Sequence, residues 1–402
     1  MNTLDSEQRH RILYLSYDGL TDGLGQSQIL PYLTGLAKHG YSITVISFEK
    51  PDRYKKYRDQ IQKICELHQL SWKPLIYHKS PLIFSTLYDM VTLRIVAKKL
   101  FLEKPFAIIH CRSYLTSLIG HWLKQKFGVK FIFDMRGFWA DERVDGGIWN
   151  LNKPLFRMMY LFFKKKEREF LKAADHVICL TENARLEILS WGYERTAISV
   201  IPTCVDTDLF HPTKYEAESA VVRKALSIQP GTFVLIYLGS WGTWYMTDQM
   251  LQFFSILVSK YNDAIMLILT PDHPELSHYE FASKIIIKSV TRSEVPAYLT
   301  LGNASICFIK PSFSKKASSA TKMAEAWAMN LPVVTNAGWG DIDRLNESGL
   351  PLFICENTFD YQNVATLLID RKPQSAREML LGNFDLASGI QKYKAIYQSL
   401  TV

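Results

Sequence analysis

Residues 310–341, KPSFSKKASSATKMAEAWAMNLPVVTNAGWGD, concentrate more potential chemistry than any other stretch of this 402-residue chain. A strand-like run, ASICFIKP, leads into a basic, serine-rich loop carrying Lys310, Lys315 and Lys316. A helix is predicted over 320–329, with Ser318 or Ser319 as its natural cap. A helix start offers unpaired N–H groups and a positive dipole end; with Thr321 and Lys322 in the first turn, it suits a diphosphate. Glu325 follows one turn along the same face as Lys322, where a carboxylate can accept two hydrogen bonds from a ribose diol. The alternative for the same residues is a solvated basic loop with a local Lys322–Glu325 ion pair.

Three other stretches follow strand-like runs and carry unusual residues. DGLTDGLGQSQ has Gly19, Gly23 and Gly25, which let backbone approach a ligand closely, ahead of a helix start expected near Ser27. Its spacing is not the dinucleotide fingerprint, so a plain Gly-rich turn is an equal reading. DMRGFWADERVDGG gathers Asp134, Arg136, Asp141, Glu142, Arg143 and Asp145 around Phe138 and Trp139, offering hydrogen-bonding groups and an apolar platform suited to a sugar. The competing reading is an Arg136–Glu142 ion pair that braces a loop. His110, alone at a strand end, reads as a satisfied core histidine. YLGSWGTWY brings Gly239, Ser240, Gly242 and two tryptophans to the end of another strand.

The elements that must position these loops are legible as an alternation. Six short β-branched or aromatic runs before residue 203 (RILYLSY, ITVISF, FAIIH, KFIFDM, HVICL, AISVIP) are separated by segments of helical period. A second series, TFVLIYL, AIMLILT, KIIIK, ASICFI and PVVTN, repeats the scheme. Alternation of this kind implies parallel strands with crossover helices, and ligands bind beyond the carboxyl ends of such strands. The Pro-containing, polar segment 201–220 is the connection, giving an α/β protein of two Rossmann-like, doubly wound domains, 1–203 and 204–384. The final helical run, within 385–402, can pack on either domain.

Composition narrows the classes. With 48% hydrophobic residues, 22 Phe, 20 Tyr and 9 Trp, there is material for two cores, which excludes disorder. The net charge of +8 suits an anionic partner. A nucleic acid is disfavoured, because no compact RNA-binding module or aromatic-basic stripe is present. Six scattered cysteines without a C-x-x-C pair fit a reducing cytosol, and the polar start MNTLDSEQRHR lacks the apolar core of a signal peptide. The histidines and cysteines form no ligand cluster that would mark a metal site. The run KPLFRMMYLFFKKKEREFLKAAD, overlapping a helix predicted over 152–172, sets aromatic and apolar residues beside Lys164, Lys165, Lys166, Arg168 and Lys172. Such a helix can lie on an anionic membrane surface or serve as a core helix with a basic outer face.

Several motifs together resemble the retaining GT-B glycosyltransferases of family 4, over nearly the whole chain. IPTCVDTDLFHP is similar to that family's interdomain signature, EAWAMNLPVV at 325–334 to its Glu-Ala-x-Ala-x-Gly-x-Pro-Val-Val helix and strand, and ADHVICLTENARLEIL at 174–189 to the end of its first domain. The resemblance implies two lobes facing across a cleft and transfer of a sugar from a nucleotide diphosphate donor, UDP- or GDP-linked, to a saccharide or polyprenyl-linked acceptor. It implies no cofactor and no metal, surface polysaccharide or lipopolysaccharide assembly as the setting, and a cytoplasmic enzyme peripheral to the inner membrane face. Carried over residue by residue, the donor set is Gly23, Gly25, Gln26, Gly239, Ser240, Lys315, Ser318, Ser319, Thr321, Lys322 and Glu325. Arg136 and Glu142 fall on the acceptor and sugar side, as catalytic candidates. The chain departs from the family in having Ala317 where a first glutamate is usual, in lacking the usual arginine and lysine within GSWGTWYMTDQ, and in Asn330 and Arg136, which replace a glycine and a histidine. A nucleotide-sugar epimerase on the same fold is the competing enzyme class, without a convincing set of paired acids and histidines.

Overall fold

The computed structural model describes residues 11–370 and 375–401. It divides into two compact units, Met1–Pro202 with Leu386–Val402, and Thr203–Asp385.

The first unit is built on a seven-stranded sheet of β1 (Arg11–Ser16), β2 (Ser42–Glu49), β3 (Ser71–Ile76), β4 (Ile108–Arg112), β5 (Lys130–Asp134), β6 (His176–Cys179) and β7 (Ile198–Val200). The strand order is β3-β2-β1-β4-β5-β6-β7, and every pairing is parallel. The second unit holds β8 (Phe233–Leu238), β9 (Ala264–Leu269), β10 (Ile285–Lys288), β11 (Ala304–Cys307), β12 (Val333–Asn336) and β13 (Leu352–Cys355), in the order β10-β9-β8-β11-β12-β13, again all parallel. Parallel strands are covered on both faces, which is why β1, β8 and β9 read as nearly unbroken apolar runs. In each sheet the order reverses once, at β1/β4 and at β8/β11. The carboxyl ends of those strands are where a doubly wound sheet opens for a ligand.

Two strands escape the sequence pattern, and both are sheet edges. SWKPLI in β3 carries Pro74, which has no N–H to give, so it is tolerated only where one side of the ladder is unpaired. LFIC in β13 is four residues long and only partly buried.

The helices that matter for the sites are α1 (Gly23–Gln28), α2 (Leu30–Lys38), α3 (Leu82–Glu103), α4 (Ser113–Phe127), α5 (Trp139–Asp145), α6 (Pro154–Ala173), α7 (Thr321–Ala328) and α8 (Leu386–Thr401). The helix after the Gly-rich loop begins at Gly23, a turn earlier than the start expected near Ser27, and the Ser27 hydroxyl folds back onto the Gly23 carbonyl at 2.8 Å. The last helix, α8, packs in the first unit against α2. Gly35 makes this approach possible: a Cβ there would come within 2.2 Å of Ile390 Cδ1. From α8, Tyr397 reaches His110 within β4 and Tyr393 reaches Asp134 at the end of β5.

Candidate functional site

In the second unit the site is organised by α7, which starts just beyond the carboxyl end of β11. The neighbouring turn gives α7 no side-chain cap. Ala320 occupies the cap position, correcting the expectation of Ser318 or Ser319 there. Ser319 is instead bound to the start of the unit: its Oγ accepts from the Thr203 amide at 3.2 Å, and its carbonyl accepts from the Thr203 hydroxyl at 3.1 Å. The amides of Thr321 and Lys322 keep their N–H groups for another partner, as the first turn of a helix does when uncapped.

Lys322 lies at this helix start, and its surroundings are unusual. The side chain is buried, with Nζ 3.6 Å from the ring centre of Tyr245, 4.6 Å from that of Tyr237 and 3.5 Å from the Tyr237 hydroxyl. Two aromatic faces stabilise the ammonium through their ring quadrupoles but do not neutralise it. The Lys322–Glu325 ion pair weighed from the sequence does not form; Glu325 Oε1 accepts from Arg292 Nη1 at 2.7 Å. Burial therefore dominates and pushes the Lys322 pKa down to about 8, against smaller opposing contributions from Cys307 and Glu325.

Gly239 is part of the same arrangement. Its φ of +128° is open to glycine alone, and a Cβ would stand 2.5 Å from Lys322 Nζ. The next residues complete the wall. The Ser240 carbonyl accepts from the Tyr237 hydroxyl, and the Trp241 amide donates to Asp272 at 2.7 Å. Lys315 is buried as well, its Nζ 3.8 Å from the ring centre of Trp244, while its carbonyl accepts from the Gly340 amide at 2.8 Å. The turn at Gly340 passes so close to the Ser318 carbonyl that a Cβ would sit 2.5 Å from it. Lys315, Ser318, Thr321, Lys322, Glu325, Gly239 and Ser240 thus belong to the β8 and β11 loops and the helix start beside them. Arg292, Tyr237, Tyr245 and Trp244 were not singled out in the sequence. The aromatic-rich run 237–245 signalled the last three, whereas nothing local marks Arg292.

The first unit places its candidates at the carboxyl ends of β1, β4 and β5. The Gly-rich loop differs from expectation. Glu49, fully buried, accepts from the Leu20 amide at 2.8 Å, the Thr21 amide at 3.0 Å and the Ser47 hydroxyl at 2.5 Å. A Cβ at Gly19 would meet Glu49, and one at Gly25 would lie 2.0 Å from the Gly19 carbonyl. Those two glycines serve the loop's own packing, whereas Gly23 faces open space. The Gln26 side chain is turned inward, donating to the Thr21 carbonyl at 3.0 Å.

After β5, Asp134 accepts from His110 Nε2 and the Tyr393 hydroxyl, both at 3.3 Å, while His110 Nδ1 meets the Tyr397 hydroxyl at 2.7 Å. Burial lowers the His110 pKa, only partly offset by Asp134, so the imidazole is neutral and satisfied on both nitrogens. Burial opposes the charge on Asp134, yet Arg136 and the His110 hydrogen bond hold its pKa below the ordinary value. Arg136 has Asp134 Oδ1 at 3.8 Å from Nη1, so Asp134 is the acid recorded beside it, in place of the Arg136–Glu142 brace weighed from the sequence. Asp141 is bound to Lys164 at 2.8 Å and Tyr160 at 2.9 Å. Glu142 sits half-buried on α5. Phe138 is a core residue packed on Trp191, which corrects its assignment to an apolar platform for a sugar, and Trp139 packs among Tyr114, Trp149 and Phe163. Among the described residues no group of three or more His, Cys, Asp or Glu side chains is placed to hold a metal ion.

Two parallel Rossmann-like sheets of seven and six strands are superimposable on solved glycosyltransferases across nearly all of both chains. The fold is GT-B. One such structure is the sucrose-phosphate synthase of Thermosynechococcus elongatus (TM-score 0.69, 13% identity, 97% of this chain and 99% of that one). Another is Anabaena HepE in complex with UDP and glucose (TM-score 0.70, 12% identity, 96% and 99%). A UDP-N-acetylglucosamine 2-epimerase described as putative, from Listeria monocytogenes, is also similar (TM-score 0.61, 14% identity, 97% and 96%). Residues 29–209 match the family model described as Glycosyltransferase Family 4. No curated protein matches the sequence.

The electrostatics of Lys322 in this GT-B chain carry a signed prediction. Its folded-state pKa, about 8, lies below the ordinary 10.5, so between those values the unfolded chain binds more protons than the folded one. Stability from this group therefore rises with pH across that window. Denaturant midpoints of wild type and Lys322→Met should diverge between about pH 8 and 10, with wild type gaining relative to the variant. Parallel pH profiles would show that Lys322 is not a buried, unneutralised ammonium.

Proposed function

We propose that this protein is a glycosyltransferase whose second unit binds a nucleotide diphosphate sugar at the start of α7. The single observation that carries the reading is the buried Lys322 ammonium, without a carboxylate partner, beside two open helix-start amides. A diphosphate supplies the missing negative charge and the hydrogen-bond acceptors together. Glu325, one turn further, has its Oε1 held by Arg292, which fixes the carboxylate and leaves Oε2 for a ribose hydroxyl. Gly239 and Ser240, Lys315, Ser318 and Thr321 border the same anion. Ser319 contributes through its link to Thr203. In the first unit, Gly23 and the loop containing Gly25 and Gln26 are assigned to the donor, and Arg136 and Glu142 to the sugar and acceptor.

The reaction we infer is a transfer with retention at the anomeric carbon. The C1–O bond to the diphosphate breaks as the acceptor oxygen bonds to C1 on the same face, and the leaving phosphate oxygen takes the acceptor proton. Lys322 and the helix start would then stabilise the charge that grows on the leaving group, and the protein's main work is positioning and charge stabilisation, without a cofactor or metal. A UDP-sugar is the favoured donor over a GDP-sugar, in view of the UDP and glucose carried by the HepE structure. The acceptor is a saccharide or polyprenyl-linked saccharide in surface polysaccharide assembly.

We place the enzyme on the inner face of a membrane. Among the described residues no helix is long and apolar enough to cross one. The outer face of α6 presents Leu155, Met158 (63% exposed), Leu161 and Phe162, followed by the exposed bases Lys165, Arg168 and Lys172. Helix α3, which shares α4 as a neighbour with α6, presents Phe84 (73% exposed), Leu87, Tyr88, Val91 and Ile95 ahead of Lys98 and Lys99. Apolar stripes followed by bases match an anionic bilayer surface.

Thermal-shift titration with UDP, GDP and ADP, followed by product analysis with labelled UDP- and GDP-sugars, tests the assignment. UDP is expected to stabilise the protein and label to appear in an acceptor. Epimerised donor with no transfer would establish the epimerase class instead. Glu325→Ala should weaken UDP binding about 10-fold or more, roughly the loss of a charge-assisted hydrogen bond, with the fold retained. Unchanged affinity and rate would remove Glu325 from the site. In flotation with vesicles rich in phosphatidylglycerol at low salt, the protein should rise with the lipid, and the Phe84→Ser/Met158→Ser variant should rise less. Wild type left at the bottom of the gradient would overturn the membrane placement.

A further inference from the structure

The carboxyl edge of the first sheet contains a second positively charged feature, separate from Lys322. Ser16, Arg112 and Asp134 stand in register at the ends of β1, β4 and β5. Arg136 follows two residues after Asp134 with φ +58°, a left-handed backbone that non-glycine residues rarely adopt. Its side chain is 9% exposed, and Nε and Nη1 are both buried without a hydrogen-bond acceptor. Asp134 does not fill that need. It lies 3.8 Å from Nη1, beyond hydrogen-bond distance, and its other oxygen is taken by His110 and Tyr393.

The charges around Arg136 do not cancel. Arg112 is also buried, and its Nε donates at 3.3 Å to Asp18, a half-exposed carboxylate at the mouth of the Gly-rich loop. The charged and titratable groups packed around the pair are Asp134 and Asp18, which are acidic, and His110, Tyr14 and Tyr393, which are neutral. Two buried guanidiniums thus face one buried carboxylate. A buried guanidinium with unmet donors is costly unless something arrives to accept from it, and an oxyanion is the group that matches both its charge and its donors.

We propose that Arg136, with Arg112 beside it, forms an oxyanion-binding site in the first unit that takes a phosphate or carboxylate group. Asp18 occupies Arg112 Nε in the empty site and swings aside, being exposed, when the oxyanion enters. Such a group can come from the diphosphate of the donor or from a phosphate or carboxylate on the acceptor. Which of these enters rests on the glycosyltransferase reading, whereas anion binding at Arg136 does not.

The test uses the full chain and inorganic phosphate or acetate, read as the shift in thermal midpoint. Lys322→Gln removes the other anion site. In that background phosphate is expected to stabilise the protein still, and adding Arg136→Gln should abolish the shift. A shift that is the same with and without Arg136 overturns the proposal. If Arg136→Gln does not fold, Arg136→Lys, which keeps the charge beside Asp134, is expected to weaken phosphate at least threefold, and equal affinity overturns it. Asp18→Asn should tighten phosphate severalfold by freeing Arg112, and an unchanged or weaker affinity contradicts the role of Arg112. UDP titration of Arg136→Gln, with Lys322 intact, then separates the two sources. A tenfold loss assigns the site to the donor diphosphate, whereas unchanged UDP affinity with lost phosphate binding assigns it to the acceptor. Loss of sugar transfer to every acceptor with phosphate binding intact would count against the glycosyltransferase reading and leave the oxyanion site standing.

Discussion

The second unit is arranged around one buried positive charge. An ammonium held between two tyrosine rings, 3.6 and 4.6 Å from their centres, is stabilised by their electron-rich faces but not neutralised. The features around it follow from that constraint. Gly239 has no side chain because Nζ occupies the space, α7 begins without a cap beside the same charge, and Glu325 is drawn to Arg292 instead of to Lys322. Had Glu325 paired with Lys322, the site would be internally neutral and would have little call for an anion. Arg292 is therefore as much a part of the arrangement as the lysine it leaves unpaired.

The scaffold makes this possible by rigidity. The β8 and β11 ends lie at the reversal of strand order, where flanking crossover helices diverge. The apolar face of α7, with Trp327 fully buried, anchors the helix so that its first turn is fixed against the sheet. The same principle governs the Gly-rich loop of the first unit. There a fully buried glutamate gathers the Leu20 and Thr21 amides, and Gly19 and Gly25 allow the chain to close around it.

The fold was legible in the sequence because parallel strands buried on both faces leave apolar runs that alternation with amphipathic helices makes unmistakable. The strands that were missed, β3 and β13, are edges, one with a proline and one short and half-exposed, where burial no longer writes the pattern. Lys322 and Glu325 were also legible, since both lie on one short helix with a polar approach. Their true electrostatic partners were not. Arg292 is 33 residues from Glu325, and the rings around Lys322 come from β8 and the loop after it, Tyr237 being 85 residues away in the chain, so only tertiary structure brings them together. For the same reason the cap expected from Ser318 or Ser319 failed: Thr203, 116 residues away, competes for the Ser319 hydroxyl. The glycines of the first loop illustrate a further limit, because close backbone approach to a ligand and close packing on a buried carboxylate demand the same residue.

The charge state of Lys322 can be observed directly, by NMR titration of its side-chain nitrogen in lysine-labelled protein, assigned with the Lys322→Met variant, with and without saturating UDP. A midpoint near pH 8 in the free protein, displaced upward by UDP toward or beyond the ordinary lysine value, is the result expected of an unneutralised ammonium that a diphosphate completes. An ordinary lysine midpoint in the free protein, unmoved by UDP, would contradict it.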